Sequence, residues 1–280
     1  MEQILNRPEI QSAVVPFTAA LLGYFGLRKH TPAAWIWALF AAFLIAAGLI
    51  NGATFTPLTG TRKIILLVLA SLIVAALGPV VVQQARLQRS VSAALGIIAI
   101  LLVFWAVVTR MEVTAIALFL VGGVALVLWL TWIFDRISDD PARLHGAGFS
   151  LLLGTGLSAT AGASALLGQL ALALSASSGA VLLGWVLTGK TGKSNQASGS
   201  ISTLPYVLAP VLLGLAAVIF ARLPWYALIP LASIPLVTRL LPGELESRFL
   251  RSVVSTLPGL LIALAVVFWI WQSGSSASGY

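Results

Sequence analysis

Apolar residues in this chain run in nearly unbroken stretches of about 17 to 23 positions, separated by short breaks that hold nearly all of the charge. A half-buried strand would alternate every second residue and a surface helix every third or fourth, and neither period governs these stretches. A helix needs around 20 apolar residues to cross a hydrocarbon core of about 30 Å, where lipid offers the backbone no partner outside the helix itself. Ten stretches qualify: 10–27, 33–51, 64–83, 91–109, 113–134, 146–162, 165–187, 205–221, 225–241 and 252–272. The pattern therefore predicts an all-α, polytopic integral membrane bundle of about ten helices with short loops, a single domain over 1–280. Barrel strands would be about 10 residues long and alternate in polarity, which these Leu- and Ala-rich runs do not.

The division is least marked between 144 and 188, which carry no charge. The small residues from Ser158 to Ser164 supply the best turn there, giving two spans, with a re-entrant hairpin as the alternative. Five spans precede the charged segment Asp135 to Arg143 and five follow it, so halves 1–138 and 139–280 would insert with opposite orientation, as inverted-repeat transporters do. Sequence support for such a repeat is thin. Phe104-Trp105 in the fourth span echoes Phe268-Trp269 in the tenth, whereas an inverted repeat pairs the fourth with the ninth.

Composition agrees with the pattern. Hydrophobic residues make up 59% of the chain and mean hydropathy is +1.03. Sixteen Lys/Arg and eight Asp/Glu compare with about 70 charges expected of a soluble domain this long. Soluble enzymes and nucleic-acid binders are thereby excluded, and the net charge of +8 is attributed to topology and attraction to anionic headgroups. Tryptophans at 35, 37, 129, 132, 269 and 271 fall at span ends, as an aromatic belt requires. Eleven of the 16 basic residues lie in the odd-numbered connections. By the positive-inside rule those loops face the cytoplasm and both termini lie outside, in an expected bacterial cytoplasmic (inner) membrane. Arg62 and Lys63 oppose this bias. No basic n-region or cleavage pattern marks a signal peptide, and Pro8 suits a first helical position.

Candidate chemistry is sparse. Gly184 to Thr191 matches the phosphate-loop pattern letter for letter, but it ends a membrane span and opens the polar, Gly- and Ser-rich tether 188–203, so the strand and sheet that chemistry needs are missing. Asp135, Asp139, Asp140, Arg143 and His145 form the one dense ionisable cluster. Carboxylates four apart at a membrane surface could hold Mg²⁺ on a diphosphate, which makes a membrane transferase using 135–145 the minor enzymatic reading. The plainer reading makes Asp140 the N-cap of the sixth helix and Pro141 its first residue. His30 and His145 both fall in predicted connections, and without Cys or arranged carboxylates they imply neither metal nor cofactor. Gln169 is the most polar residue well inside a span. It lies beside a small-residue row of Ser164, Gly168, Ala171, Ser175 and Gly179, and Gly154, Ser158 and Gly162 form a second row. Small faces let helices approach closely, or they line a solute path, with Gln169, Ser158, Ser164 and Ser175 as its polar groups. Prolines at 16, 79, 210, 230, 235 and 258 lie within spans and can kink them.

The expected function is a non-enzymatic small permease or exporter for an uncharged or lipid-like solute, free of intramembrane ion-coupling groups. The alternative is a non-catalytic subunit scaffolding a larger membrane complex. Expected partners are the lipid bilayer and no nucleic acid, with a second copy of the chain or membrane-complex subunits as further candidates.

Overall fold

The computed structural model describes residues 7–52, 56–162, 164–188, 199–241 and 247–277, and every regular element among them is helical. Ten α-helices follow one another: α1 Val15–Leu27, α2 Ala34–Asn51, α3 Gly60–Val81, α4 Ala85–Val108, α5 Val113–Ile137, α6 Pro141–Ala161, α7 Ala165–Leu187, α8 Leu204–Phe220, α9 Leu228–Leu240 and α10 Arg248–Ala277. A π-helical turn at Ile10–Val14 leads into α1, with helical residues from Pro8, and a 3₁₀ turn at Trp225–Ala227 leads into α9. Most of tether 188–203, with Lys190, Lys193 and the end of the phosphate-loop match, lies outside the described residues, as do Glu244 and Glu246.

Seven of these elements are long and apolar enough to cross a membrane: Ile10–Leu27, α2, α3, α4, α5, α7 and α10. The chain is accordingly a helical membrane protein. The other three helices are interior or short. Glycine, serine and the polar first turn lower the hydropathy of α6, while α8 and the Trp225–Leu240 segment are shorter.

Contacts between helix ends sort the connections onto two faces. On the odd-loop face, Tyr24 near the end of α1 packs on Gly184 near the end of α7, and Ile201 just before α8 packs on Gly78 near the end of α3. Arg89 in α4 pairs with Asp135 in α5, and Asp140 before α6 pairs with Arg251 in α10. On the opposite face, Phe220 at the end of α8 lies beside Gly60 at the start of α3, and Tyr226 before α9 stacks near Trp269 late in α10. Among described residues, nine Lys/Arg decorate the odd-loop face and five the other.

Helices α6 and α8 form the centre. α8 touches α3, α4, α5, α6 and α7, and every residue from Leu204 to Ala217 is buried. α6 packs on α7, α8, α9 and α10. The first half has no counterpart to this arrangement, since α1, which a 5+5 repeat would equate with α6, packs chiefly on α2 and α7. Between 144 and 188 the chain forms two separate helices, one ending at Ala161 and the next starting at Ala165. The small row on α7 faces α6 as close packing requires: a side chain at Gly168 would strike Thr160 and the Gly156 carbonyl, and one at Gly179 would meet Phe149.

Candidate functional site

Along α6, Gly146, Ser150, Gly154, Ser158 and Gly162 recur every fourth residue and form one face with no side chain larger than a hydroxymethyl. From Gly146 to Gly154 this face turns to α9 and α10, and Gly162 at its end abuts Ala221 and Leu223 of the α8–α9 connection. A Cβ on Gly146 would meet Thr256 and Ser255, one on Gly154 would meet Leu231 and Ala263, and Gly259 of α10 abuts Ser150. The facing row of α10 is also small: Ser252, Ser255, Thr256, Gly259 and Ala263.

Hydroxyls bridge this seam where Pro258 opens the backbone ladder of α10. In the turn before that proline, the Thr256 carbonyl accepts from Ser150 Oγ at 3.2 Å, and the Ser255 carbonyl accepts from Thr238 Oγ1 of α9 at 3.3 Å. Two other hydroxyls on the seam, Ser158 Oγ and Ser252 Oγ, are buried with no hydrogen-bond partner among the described residues.

The odd-loop end of the seam is closed by ions. Asp140 Oδ1 accepts from the amides of Ala142 and Arg143, at 3.2 and 3.5 Å, and so caps α6. Its Oδ2 lies 2.7 Å from Arg251 Nη2 and 3.3 Å from Arg143 Nε. Arg143 Nη2 also donates to the Leu241 carbonyl at the end of α9, at 2.6 Å. One carboxylate thus gathers the ends of α6, α9 and α10, while Arg251 Nε is buried with no partner among the described residues.

The other end opens into a cleft of about 620 Å³ lined by Ala161, Gly162, Phe220, Ala221, Arg222, Pro224, Tyr226, Ile270 and Ser273. Arg222 is its cation and has a left-handed backbone, with φ of 54°. That conformation costs a non-glycine residue on the order of 1 kcal/mol. Ser158 lies one helical turn below Gly162 at the cleft wall.

A second buried polar group occupies the opposite side of α6. His145 is fully buried in the second turn of this helix, which corrects its sequence assignment to a connection. Its Nδ1 lies 2.9 Å from the Tyr206 hydroxyl of α8, which in turn lies 2.9 Å from Ser178 Oγ of α7. Ser178 also donates to the His145 carbonyl at 3.2 Å. Trp35 of α2 meets the imidazole edge-on, with centroids 4.9 Å apart, and stacks on Tyr206 at 5.8 Å. Phe134 of α5 stacks on Tyr206 at 5.8 Å. Five helices therefore converge on this cage. The protein interior does hold an ionisable side chain, contrary to the expectation from the span boundaries.

The sequence-derived path residues do not meet at one point. Ser164 is the N-cap of α7 and accepts from the Leu167 amide at 3.4 Å. Ser175 donates to the Phe149 carbonyl of α6 at 2.9 Å. Gln169 is half-buried in the second turn of α7, near the even-loop end and away from the mid-membrane position expected of it. Ser158 alone lies on the seam. Asp135, Asp139 and Asp140 also diverge: Asp135 pairs with Arg89 at 2.6 Å and accepts from Ser200 Oγ, Asp139 is exposed, and Asp140 serves the cluster just described. Among described residues no three His, Asp or Glu side chains gather as a metal site would need.

Sequence reasoning missed Tyr206, a single polar letter in an apolar run, and Ser178, one of three closely spaced serines of which Ser175 alone stands in the small-residue row. The cap at Asp140 and Pro141 could have found His145, since it puts that residue on the helix. No known family model matches the chain, and no curated protein matches it either.

Proposed function

We propose that the protein is a ten-span permease for a small uncharged or lipid-like solute, whose path follows the seam of α6 with α9 and α10. The observation that carries this reading is a set of buried polar atoms that have no partner among the described residues: Ser158 Oγ and Ser252 Oγ on the seam and Arg251 Nε at its odd-loop end. Buried polar atoms are paired as a rule, and leaving one unpaired costs about 1–3 kcal/mol. A passing solute hydroxyl or carbonyl would satisfy them in turn. Small facing residues, a proline in α10, an open cleft at one end and an ion cluster at the other support a path closed on the odd-loop side. The excess of basic residues on that side supports its placement in the cytoplasm, with both termini outside.

The chain has no cysteine, so one introduced at Ser158 is the sole thiol. In proteoliposomes, Ser158→Cys should react with a hydrophilic thiol reagent, and a bulky adduct there should slow glycerol uptake. Leu240→Cys on the lipid-facing surface should leave uptake unchanged. An inert Ser158→Cys beside a reactive Ser273→Cys would make the seam plain helix packing and remove the reading.

A further inference from the structure

A different surface of the odd-loop face gathers two tryptophans and two arginines. Near the end of α5, Trp129 and Trp132 stack with centroids 5.5 Å apart, and Trp129 Nε1 donates to the Ala232 carbonyl of α9 at 2.9 Å. That bond fixes the indole pair across the α5–α9 junction. Two guanidinium groups then converge on the same ring: Arg136 lies 5.2 Å and Arg239 5.5 Å from the Trp132 centroid. They come from different helices, and the shared ring holds them no more than about 11 Å apart.

Neither arginine takes part in an ion pair among the described residues, whereas Arg89, Arg143 and Arg251 on the same face all do. Two like charges held by one aromatic ring repel unless an anion joins them, and cation–π attraction of roughly 0.5–2 kcal/mol each gives orientation without neutralisation. The surroundings say what kind of anion fits. Trp129 and Trp132 are about a third exposed at the level of the interfacial belt, and Leu128 and Leu240 beside them are strongly exposed. A phosphate between the arginines would have apolar surface beneath it for acyl chains.

We propose that Trp132, Arg136 and Arg239 form a headgroup site for an anionic phospholipid at the odd-loop surface of the bilayer. The guanidiniums take the phosphodiester, their planar donors matching its oxygens, and the exposed apolar surface at Leu128 and Leu240 takes the chains. This site does not depend on the permease reading, because it lies outside the seam.

The test is lipid retention by native mass spectrometry, with the full chain purified from mixed phosphatidylglycerol and phosphatidylcholine. The wild-type chain should keep phosphatidylglycerol preferentially, and inorganic phosphate at millimolar concentration should not displace it. Arg136→Gln/Arg239→Gln should lower that preference by at least about tenfold, the effect of losing charge-assisted hydrogen bonds to one phosphate. Arg28→Gln/Arg86→Gln removes the same charge from the same face without touching Trp132 and should leave the preference intact. Equal loss in both double variants would reduce the effect to net charge and overturn the proposal. Displacement by inorganic phosphate would overturn it in favour of a free-anion site. Should the first pair fail to fold, Trp132→Leu, which keeps both charges but loses the ring that gathers them, must still lower the preference for the site to stand.

Discussion

The ring of Tyr206 fills the space that a side chain on Gly148 would need: two of its carbons lie 2.5 and 2.6 Å from where that Cβ would stand. α6 and α8, the two central helices, approach one another through this contact. Gly148→Ala must therefore displace the phenol and everything stacked on it. A loss of about 1–3 kcal/mol is expected, the usual cost of an overpacked core, read as a lower melting temperature in mild detergent. Gly26→Ala, where the added carbon meets nothing within 4 Å, should be neutral or slightly stabilising.

Removing only the hydroxyl tests the hydrogen bonds apart from the packing. Tyr206→Phe keeps the ring but takes their common partner from His145 Nδ1 and Ser178 Oγ, and a cost of about 1–3 kcal/mol is expected. Because Ser178 retains the His145 carbonyl as an acceptor, Ser178→Ala should cost less. The double variant should fall short of the sum of the two, as members of one network do. Thermal melts of the three variants decide it, and strict additivity would mean that the groups are not coupled.

Asp140 should be the most sensitive carboxylate in the chain. Asp140→Asn keeps a helix cap of similar quality but drops the charge facing Arg143 and Arg251. The cluster is only partly buried, so a loss of about 2 kcal/mol is expected, below the full cost of breaking a deeply buried pair. Asp135→Asn, whose arginine partner is nearly half exposed, should cost less than 1 kcal/mol. A cycle of Asp140→Asn with Arg251→Gln should return a coupling above about 0.5 kcal/mol. Equal sensitivity of the two aspartates would contradict the difference in exposure and number of their arginine partners.

Orientation can be read with single cysteines in sealed vesicles of known sidedness. Asp139→Cys should react with an impermeant reagent only from the cytoplasmic side and Glu112→Cys only from the outside. Labelling of both from one side would refute the two-faced arrangement of the connections, and labelling in the reverse sense would refute the cytoplasmic assignment.

How far the sequence reveals the molecule depends on what each residue faces. Helix positions were legible because lipid demands long apolar runs, and the Asp140-Pro141 cap was legible because capping is local. The apolar span nonetheless begins only at 146, five residues inside the helix that Asp140 caps, because hydropathy marks residues that meet lipid and the first turns of α6 meet protein. That offset hid His145. The partners of Asp140 and Tyr206 lie far away in sequence and no local pattern announces them: Arg251 is 111 residues from Asp140, and His145 is 61 from Tyr206. Ser158 was legible as part of a small-residue row, but its place on the seam depended on what faced it. Gln169 attracted attention for its polarity, and the fold puts it near a helix end, where polarity costs little.

The face of α6 from Gly146 to Gly162 has a mechanical consequence. Interlocked side chains hold most helix pairs at one offset, because any slide must first withdraw a knob from its hole. Here two rows of small groups meet, and Leu231 and Ile234 of α9 reach into them. α10 therefore lies so close to α6 that a methyl group added at Gly146, Gly154 or Gly259 would collide with its neighbours. Its register is held within the seam by Ser150 on the Thr256 carbonyl and at the odd-loop end by Arg251 on Asp140, so a lengthwise shift must break both ties.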